Sequence, residues 1–301
     1  MSGDRVVLVD ASIYVFRAWH SMPDTFVDVD GRPVQAVHGF LRMLLGLLEQ
    51  ERPGHILVAF DASLESSFRN QLYPAYKANR EPAPDDLLRQ FHHCRQLCAA
   101  LGLPEQADPR FEADDLIGSA LHALRRQGFS GLIVSADKDL SQLLRRGDAQ
   151  WDLARNLRWS ADEVRERYGA RPERIADWLG LAGDPTDNIP GVPGIGAKTA
   201  TALLDHFDSL DALLDRLDEL PFLRLRGARA HAARLREHRE LALLSRQLAT
   251  IATDAPVATE PDRYRPCPVR DEVLAPLLDR LRVGPASRRR IRAWADSVGA
   301  G

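Results

Sequence analysis

"VVLVD" (Val6–Asp10) is an apolar run that stops on a carboxylate, and the pattern recurs in "ILVAFD" (Ile56–Asp61) and "LIVSAD" (Leu132–Asp137). Runs this short and uninterrupted predict strands buried on both faces, as in a parallel sheet. Between them, apolar periodicity predicts helices over Val34–Glu51, Asp85–Leu101 and Glu112–Gln127. Strand and helix alternate, so the expected class is α/β, a parallel sheet with helices on both faces. In such sheets sites form beyond the carboxyl ends of the strands, which should bring Asp10, Asp61, Asp137 and the nearby Asp139 to one edge. One aspartate after a strand is commonly a cap or turn residue; three in succession fit that reading poorly.

"FEADDLIGSALHAL" (Phe111–Leu124) carries the last of these helices, with Ala113, Leu116, Ile117, Ala120, Leu121 and Leu124 at helical spacing. Its head holds Glu112, Asp114 and Asp115. Acids in a first turn offset the helix dipole and cap free N–H groups, so capping and a metal or catalytic role both stand at this point. Glu112 and Asp115, three apart, project from one edge, and Asp114 points nearer the opposite one.

A chain of 301 residues that is 45% hydrophobic and 28% charged is an ordinary globular one with room for one large or two modest domains. No apolar run approaches the roughly 20 residues of a membrane span and no signal-like segment opens the chain, so a cytoplasmic location is expected. Cys94, Cys98 and Cys267 are too few and odd in number for a disulfide framework. "HHCRQLC" (His92–Cys98) lacks a second ligand pair for zinc and reads as helix packing. The net charge of −3 does not advertise a nucleic-acid partner. Arginine is the default cation, however, and Lys77, Lys138 and Lys198 are the only lysines. A compact, tunable ammonium is physically unlike a guanidinium, which singles these positions out.

From about Trp159 the pattern turns to short helices and turns, placing a boundary within Ala154–Ser160. The expected division is an α/β unit over 1–158, a helical unit over 159–255 and an extension over 256–301, proline-rich at first and ending in a basic tail.

The candidate acids are Asp10, Asp61, Glu112, Asp114, Asp115, Asp137, Asp139, Asp184 and Asp187. Gathered together they would raise one another's pKa values unless cations neutralised them. Oxygen donors without attendant His or Cys suit Mg²⁺ or Mn²⁺. Two such ions, roughly 3.5 to 4 Å apart, can activate water and stabilise the leaving oxygen of a phosphodiester. "SFRNQLYPAYKANREPAP" (Ser67–Pro84) interleaves Arg69, Lys77 and Arg80 with Phe68, Tyr73 and Tyr76. Cations for phosphates and rings for bases suit a single-strand channel, and a solvated loop is the plain alternative. "GVPGIGAKTA" (Gly191–Ala200) fails the phosphate-loop spacing, because Ala197 separates Gly196 from Lys198, and fails the dinucleotide fingerprint at Thr199. A glycine hairpin before a helix N-terminus, gripping a DNA phosphate, fits better. Lys138, between two aspartates, either binds phosphate or relieves their repulsion.

In order, "LVDASIYVFRAWH", "VAFDA", "SFRNQLYPAYKANR", "FEADDLIG", "SADKDLSQLL" and "GLAGDPTDNIPGVPGIGAKTA" resemble the 5′ nuclease family from Val6 to about Asp254. That family takes in the exonuclease domain of bacterial DNA polymerase I, phage 5′ nucleases and flap endonucleases. The resemblance implies a PIN-like parallel sheet flanked by helices, a helical arch over about 62–84 and a C-terminal helix-three-turn-helix subdomain. It implies a structure-specific 5′-to-3′ exonuclease or flap endonuclease that cuts near single-strand/duplex junctions, with all nine acids holding two or more Mg²⁺. Lys77 and Arg80 match the arch's catalytic cations, Lys77 polarising or positioning the scissile phosphate. DNA contacts would come from Arg69, Tyr73, Tyr76, Gly191, Gly194, Gly196, Lys198 and Thr199. A potassium ion would sit on the carbonyls of Leu181, Ala182, Pro190, Val192 and Ile195. The implied partner is DNA with a 5′ flap, a nick or a free, even RNA-primed, 5′ end, bound by a monomer away from any membrane. Ala11 stands where polymerase-associated members usually carry glycine, and Gly301 leaves no room for a polymerase, so a stand-alone exonuclease is expected. A non-catalytic DNA-junction binder is the main alternative. A small-substrate phosphatase fits neither the hairpin nor the basic aromatic stretch.

Overall fold

The computed structural model describes residues 4–62 and 67–299. Six strands, β1 (Arg5–Asp10), β2 (Ile56–Asp61), β3 (Glu105–Asp108), β4 (Ser130–Val134), β5 (Ala149–Asp152) and β6 (Leu157–Ser160), form one sheet in the order β3-β2-β1-β4-β5-β6. β1 to β5 pair in parallel, and β6 closes the edge antiparallel to β5. The polar strands β3, β5 and β6 carry no long apolar run and went unforeseen. β4 stops at Val134, so Asp137 lies three residues beyond the strand. β6 takes the sheet two residues past the expected boundary at 158.

Helices follow in chain order as α1 (Ala11–Ser21), α2 (Gln35–Glu51), α3 (Phe68–Leu72), α4 (Asp85–Ala100) and α5 (Ala113–Arg125). Beyond the sheet come α6 (Val164–Tyr168), α7 (Ile175–Ala182), α8 (Ala197–Phe207), α9 (Leu210–Asp215), α10 (Ala228–Glu237), α11 (Arg239–Ala249), α12 (Asp271–Arg280) and α13 (Pro285–Gly299). Strand side chains alternate between faces, so Val7 and Val9 pack with α1, α2 and α4, while Val6 and Leu8 pack under α5. Both faces are therefore apolar, which is why β1 reads as an unbroken run. A third core of Leu181, Val192, Ile195, Leu203, Phe207 and Leu213 holds the helical unit together. Cys94 and Cys98 lie buried in the first core, where packing explains both.

The expected arch and basic tail take the following forms. The arch residues 63–66 fall outside the described residues, and 67–84 form only the five-residue α3 followed by successive turns. The basic tail is the docked helix α13, which buries Ile291 and Trp294 and donates from Trp294 Nε1 to the Leu101 carbonyl at 3.0 Å. The proline-rich stretch, expected to be an extended wrap, is so only in part: Pro261–Tyr264 form a 3-10 turn and Asp271 already opens α12, while 265–270 run without helix and hydrogen-bond to the turn at 100–102, with Cys267 N–H on the Gly102 carbonyl at 2.7 Å. Gly102 has φ +73°, and a Cβ there would meet the Cys267 carbonyl oxygen at 1.8 Å, so only glycine fits.

Candidate metal and nucleic-acid site

β1, β2 and β4 end side by side, with Asp10 and Asp61 closing the first two and Asp137 in the loop three residues beyond the third. Asp10 caps α1 and accepts from Ser135 Oγ at 2.8 Å. The same hydroxyl accepts from Asp137 N–H at 3.0 Å, tying the ends of β1 and β4 together. Gln150 on β5 donates to the carbonyls of Ser135 and Asp137 at 3.1 and 2.5 Å, fixing the loop between them. Asp61 accepts from Ala113 N–H at 2.8 Å, so the end of β2 meets the N-terminus of α5, and Ser12 Oγ receives Asp61 N–H at 3.0 Å. Ser12, Ser135 and Gln150 were missed from the sequence; lone polar residues make no pattern, although both serines lie two residues from an acid.

Burial and mutual repulsion raise five of the acids. Asp10 is pushed up to about 7 by burial, then by the fields of Asp61 and Asp137. Burial also lifts Asp61, with Glu112 adding to it. Asp114 rises well above the carboxylate range through burial, then Asp137 and Asp10. Asp137 is raised by burial and Asp187, and Asp139 well raised by burial, Asp137 and Asp184. These fields join Asp10, Asp61, Glu112, Asp114, Asp137, Asp139, Asp184 and Asp187 into one electrostatic group.

Cations hold part of it. Lys77 Nζ stands 3.0 Å from Glu112 and 3.7 Å from Asp187. Burial opposes the ammonium charge, but Glu112, Tyr76 and Asp187 outweigh it and hold the pKa well above the usual lysine range. Burial likewise works to raise Glu112, and Lys77 and Arg69 bring it down. Arg80 pairs with Asp187 at 2.5 Å, and Lys138 pairs with Asp184. Among the described residues no three acidic, histidine or cysteine side chains form a ready ligand shell around one point. Within this group of acids, lysines pair with Glu112 and Asp184.

Asp115 lies outside this group. Fully buried, it takes both Arg69 guanidinium nitrogens at 2.7 and 2.8 Å, Ala252 N–H at 2.8 Å and Glu112 N–H at 3.0 Å. Helix periodicity ranked Asp115 above Asp114, and the structure puts Asp114 towards Asp10 and Asp137 instead. Arg69 is 2% exposed and also donates to the carbonyls of Leu248 and Thr250. It is a structural guanidinium that strand-binding arginines do not resemble. Tyr76 is equally buried, its hydroxyl donating towards Glu112 at 3.1 Å, so its ring is unavailable to bases. Tyr73 remains partly exposed.

The turn carrying Lys77 is pinned to the "GDPTDN" loop. Lys77 N–H reaches the Asp187 carbonyl at 2.9 Å, Asn79 donates to the Pro185 carbonyl at 2.9 Å, and Asn188 donates to the Ala75 carbonyl at 2.6 Å. Lys77 itself has φ +54°, a left-handed conformation uncommon outside glycine. Next along the chain, the glycine hairpin doubles back on α7: Val192 N–H donates to the Leu181 carbonyl at 2.8 Å, and Gly191 lies too close to Gly183 for a side chain. Ala182 and Pro190 form that same close approach, and Val192 and Ile195 are buried beneath it. Gly194, Gly196 and Lys198 are exposed at the N-terminus of α8, with Thr199 half-buried.

Two family models match, the 5′-3′ exonuclease N-terminal resolvase-like domain over residues 5–169 and the 5′-3′ exonuclease C-terminal SAM fold over 170–272. The chain is 34% identical over 258 residues to a 5′-3′ exonuclease of Buchnera aphidicola subsp. Acyrthosiphon pisum, covering 85% of this chain and 90% of that one. It is 41% identical over 282 residues to DNA polymerase I of Pseudomonas aeruginosa, covering 93% of this chain and 31% of the polymerase. The chain thus spans about a third of the length of that polymerase. In fold it resembles T5 5′-exonuclease with bound zinc, at TM-score 0.70 and 20% identity over 92% of this chain and 99% of that one. It also resembles the catalytic core of Rad2 in complex with DNA substrate, at TM-score 0.63 and 14% identity over 97% and 92%. With both of its units matched in order, the chain belongs to the 5′-3′ exonuclease family.

Proposed function

We propose that the protein is a divalent-metal-dependent 5′ nuclease that hydrolyses phosphodiesters near the junction of a 5′ single strand with duplex DNA. The observation that carries this reading is the group of eight mutually repelling carboxylates at the sheet edge, held together without a matching number of cations. Their donor set suits Mg²⁺ or Mn²⁺: oxygen ligands throughout, five of them (Asp10, Asp61, Asp114, Asp137 and Asp139) with raised pKa values, and a buried Asp139 Oδ1 with no hydrogen-bond donor. Asp10, Asp61, Glu112, Asp114, Asp137, Asp139, Asp184 and Asp187 would hold the ions. When bound, a pair of such ions supplies Lewis-acid activation of water and charge stabilisation at the departing oxygen.

The chain's own residues supply position. Asp115 and Arg69 anchor the head of α5, and so fix Glu112 and Asp114. Lys77, held beside the acids by its backbone bond to Asp187, would direct its ammonium at the scissile phosphate. Arg80, half exposed at the rim, takes a neighbouring phosphate. Gly194, Gly196, Lys198 and Thr199 grip a duplex phosphate, while Gly191, expected among them, is buried with its N–H on Ser245 Oγ at 3.0 Å and serves the hairpin's own packing; a potassium ion on the carbonyls of Leu181, Ala182, Pro190, Val192 and Ile195 would add positive charge there.

Incubation with a labelled 5′-flap duplex tests the reading: Mg²⁺-dependent release of the 5′ strand is expected, and activity that survives a chelator would overturn it. The lysine occupancy of Glu112 and Asp184 favours one other reading, a junction-binding protein without catalysis. Tight flap binding with no cleavage in either Mg²⁺ or Mn²⁺ would establish that alternative.

A further inference from the structure

We propose that Phe222, Arg224, Arg226 and Arg234 form a second contact surface for double-stranded nucleic acid, continuous with the glycine hairpin. The proposal builds on the reading of that hairpin as a duplex grip.

From Leu220 to Arg236, "LPFLRLRGARAHAARLR", there are five arginines and no acid. Exposure alternates along the start of this stretch: Leu223 and Leu225 pack against the core of the helical unit, which turns Phe222, Arg224 and Arg226 outward. Phe222 is 86% exposed, far beyond the next exposed large apolar residue, Val29 at 52%. A ring so fully in water has no folding role to explain it.

The neighbouring cations are neutralised by acids, Arg216 by Glu219, Arg236 by Asp218 and Arg239 by Asp215. Among the described residues, Arg224 and Arg226 have no such partner. Free guanidinium groups beside neutralised ones mark a surface left charged for an anion. Arg234 connects this surface to the hairpin. Its guanidinium covers Gly194, where a Cβ would come within 2.8 Å of Cζ, and Nη1 donates to the Gly194 carbonyl at 3.4 Å. Gly194 owes its glycine to a φ of +78°, and the group lying over it is a cation facing the phosphate grip.

The chemistry favours nucleic acid over a protein. Protein interfaces concentrate apolar area and deplete charge at their centres, whereas here one ring stands among unpaired arginines. Planar guanidinium groups suit phosphate oxygens, and an isolated apolar side chain suits the minor groove, where such residues pack against sugars or wedge between base steps. On this assignment Arg224, Arg226 and Arg234 neutralise backbone phosphates, and Phe222 enters the groove between them.

Fluorescence anisotropy with the full chain in chelator, so that nothing is cleaved, tests the surface against a blunt duplex and a single strand of equal length over a salt series. Arg224→Ala/Arg226→Ala should weaken duplex binding about tenfold or more and make the slope of log K against log salt shallower by about two. Phe222→Ala should weaken duplex binding several-fold at unchanged slope, because no counterion is released by a ring. Equal melting temperatures across these surface variants would exclude unfolding as the cause. Unchanged duplex binding in both variants overturns the proposal, as does a loss confined to the single strand. A wild-type chain that binds duplex but never cleaves a flap overturns the catalytic reading and leaves this surface standing; one that binds no duplex overturns both.

Discussion

Asp114 and Asp115 are neighbours in the first turn of one helix, yet they sit in opposite electrostatic worlds. On one side, Asp115 is enclosed with Arg69 in a pair whose every oxygen is satisfied. On the other, Asp114 is half-buried in the fields of Asp137 and Asp10, which Lys77 offsets only in part. A partnered buried acid holds architecture together, and removing its partner leaves a bare charge in the interior. Unpartnered buried acids cost stability, and a fold retains such a group where a ligand offsets the cost. The same residue type therefore carries structure on one face of α5 and the proposed chemistry on the other.

The largest effect should come from breaking the satisfied side. Asp115→Ala strands the Arg69 guanidinium, and chemical denaturation should register a loss of about 3–5 kcal/mol; a loss below about 1 kcal/mol would erase the contrast between the two faces. Lys77→Ala should slow flap cleavage about a hundredfold, or about 2.7 kcal/mol of barrier, in single-turnover kinetics with saturating Mg²⁺. Mg²⁺ at about a hundred times its Kd should add about 2.7 kcal/mol to the wild type, read as a rise in melting temperature. The smallest effect sharpens the comparison most: in chelator, Asp114→Asn should raise stability by about 1 kcal/mol, opposite in sign to Asp115→Ala.

The pH dependence has the same origin. Acids whose native pKa is raised keep protons that the unfolded chain has already released, so native stability falls as pH climbs. For Asp10 the window runs from the ordinary 3.8 to about 7. Calorimetry in chelator should therefore show a higher melting temperature near about pH 6 than near about pH 8, and saturating Mg²⁺ should flatten the difference. A chelated protein that gains stability over that rise would contradict the repulsion.

Much of the sheet was legible because β1, β2 and β4 are buried on both faces, which forces apolar runs, and because Asp10 and Asp61 close two of those strands. β3 and β6, polar edge strands, left no such mark. The ranking within "EADD" failed for a physical reason: helical spacing says which edge a side chain leaves, and says nothing of what waits there. Asp115 met Arg69, forty-six positions earlier in the chain, a separation that periodicity cannot span. Arg69 in turn looked like a strand-binding cation because it lies among aromatics, and those rings, Phe68 and Tyr76, turn out to cover it. The turn that brings Lys77 onto Glu112 depends on a left-handed backbone at a lysine, which residue preferences argue against.

On the proposed function, the repelling acids at the sheet edge are the centre of phosphodiester hydrolysis. Its most direct test compares wild type with Asp137→Ala on a 5′-labelled flap duplex in Mg²⁺, with both proteins shown by circular dichroism to be folded. The expected result is release of the 5′ strand by the wild type and a rate at least about a thousandfold lower for the variant, a loss of about 4 kcal/mol in transition-state stabilisation. Cleavage by Asp137→Ala at the wild-type rate would contradict it.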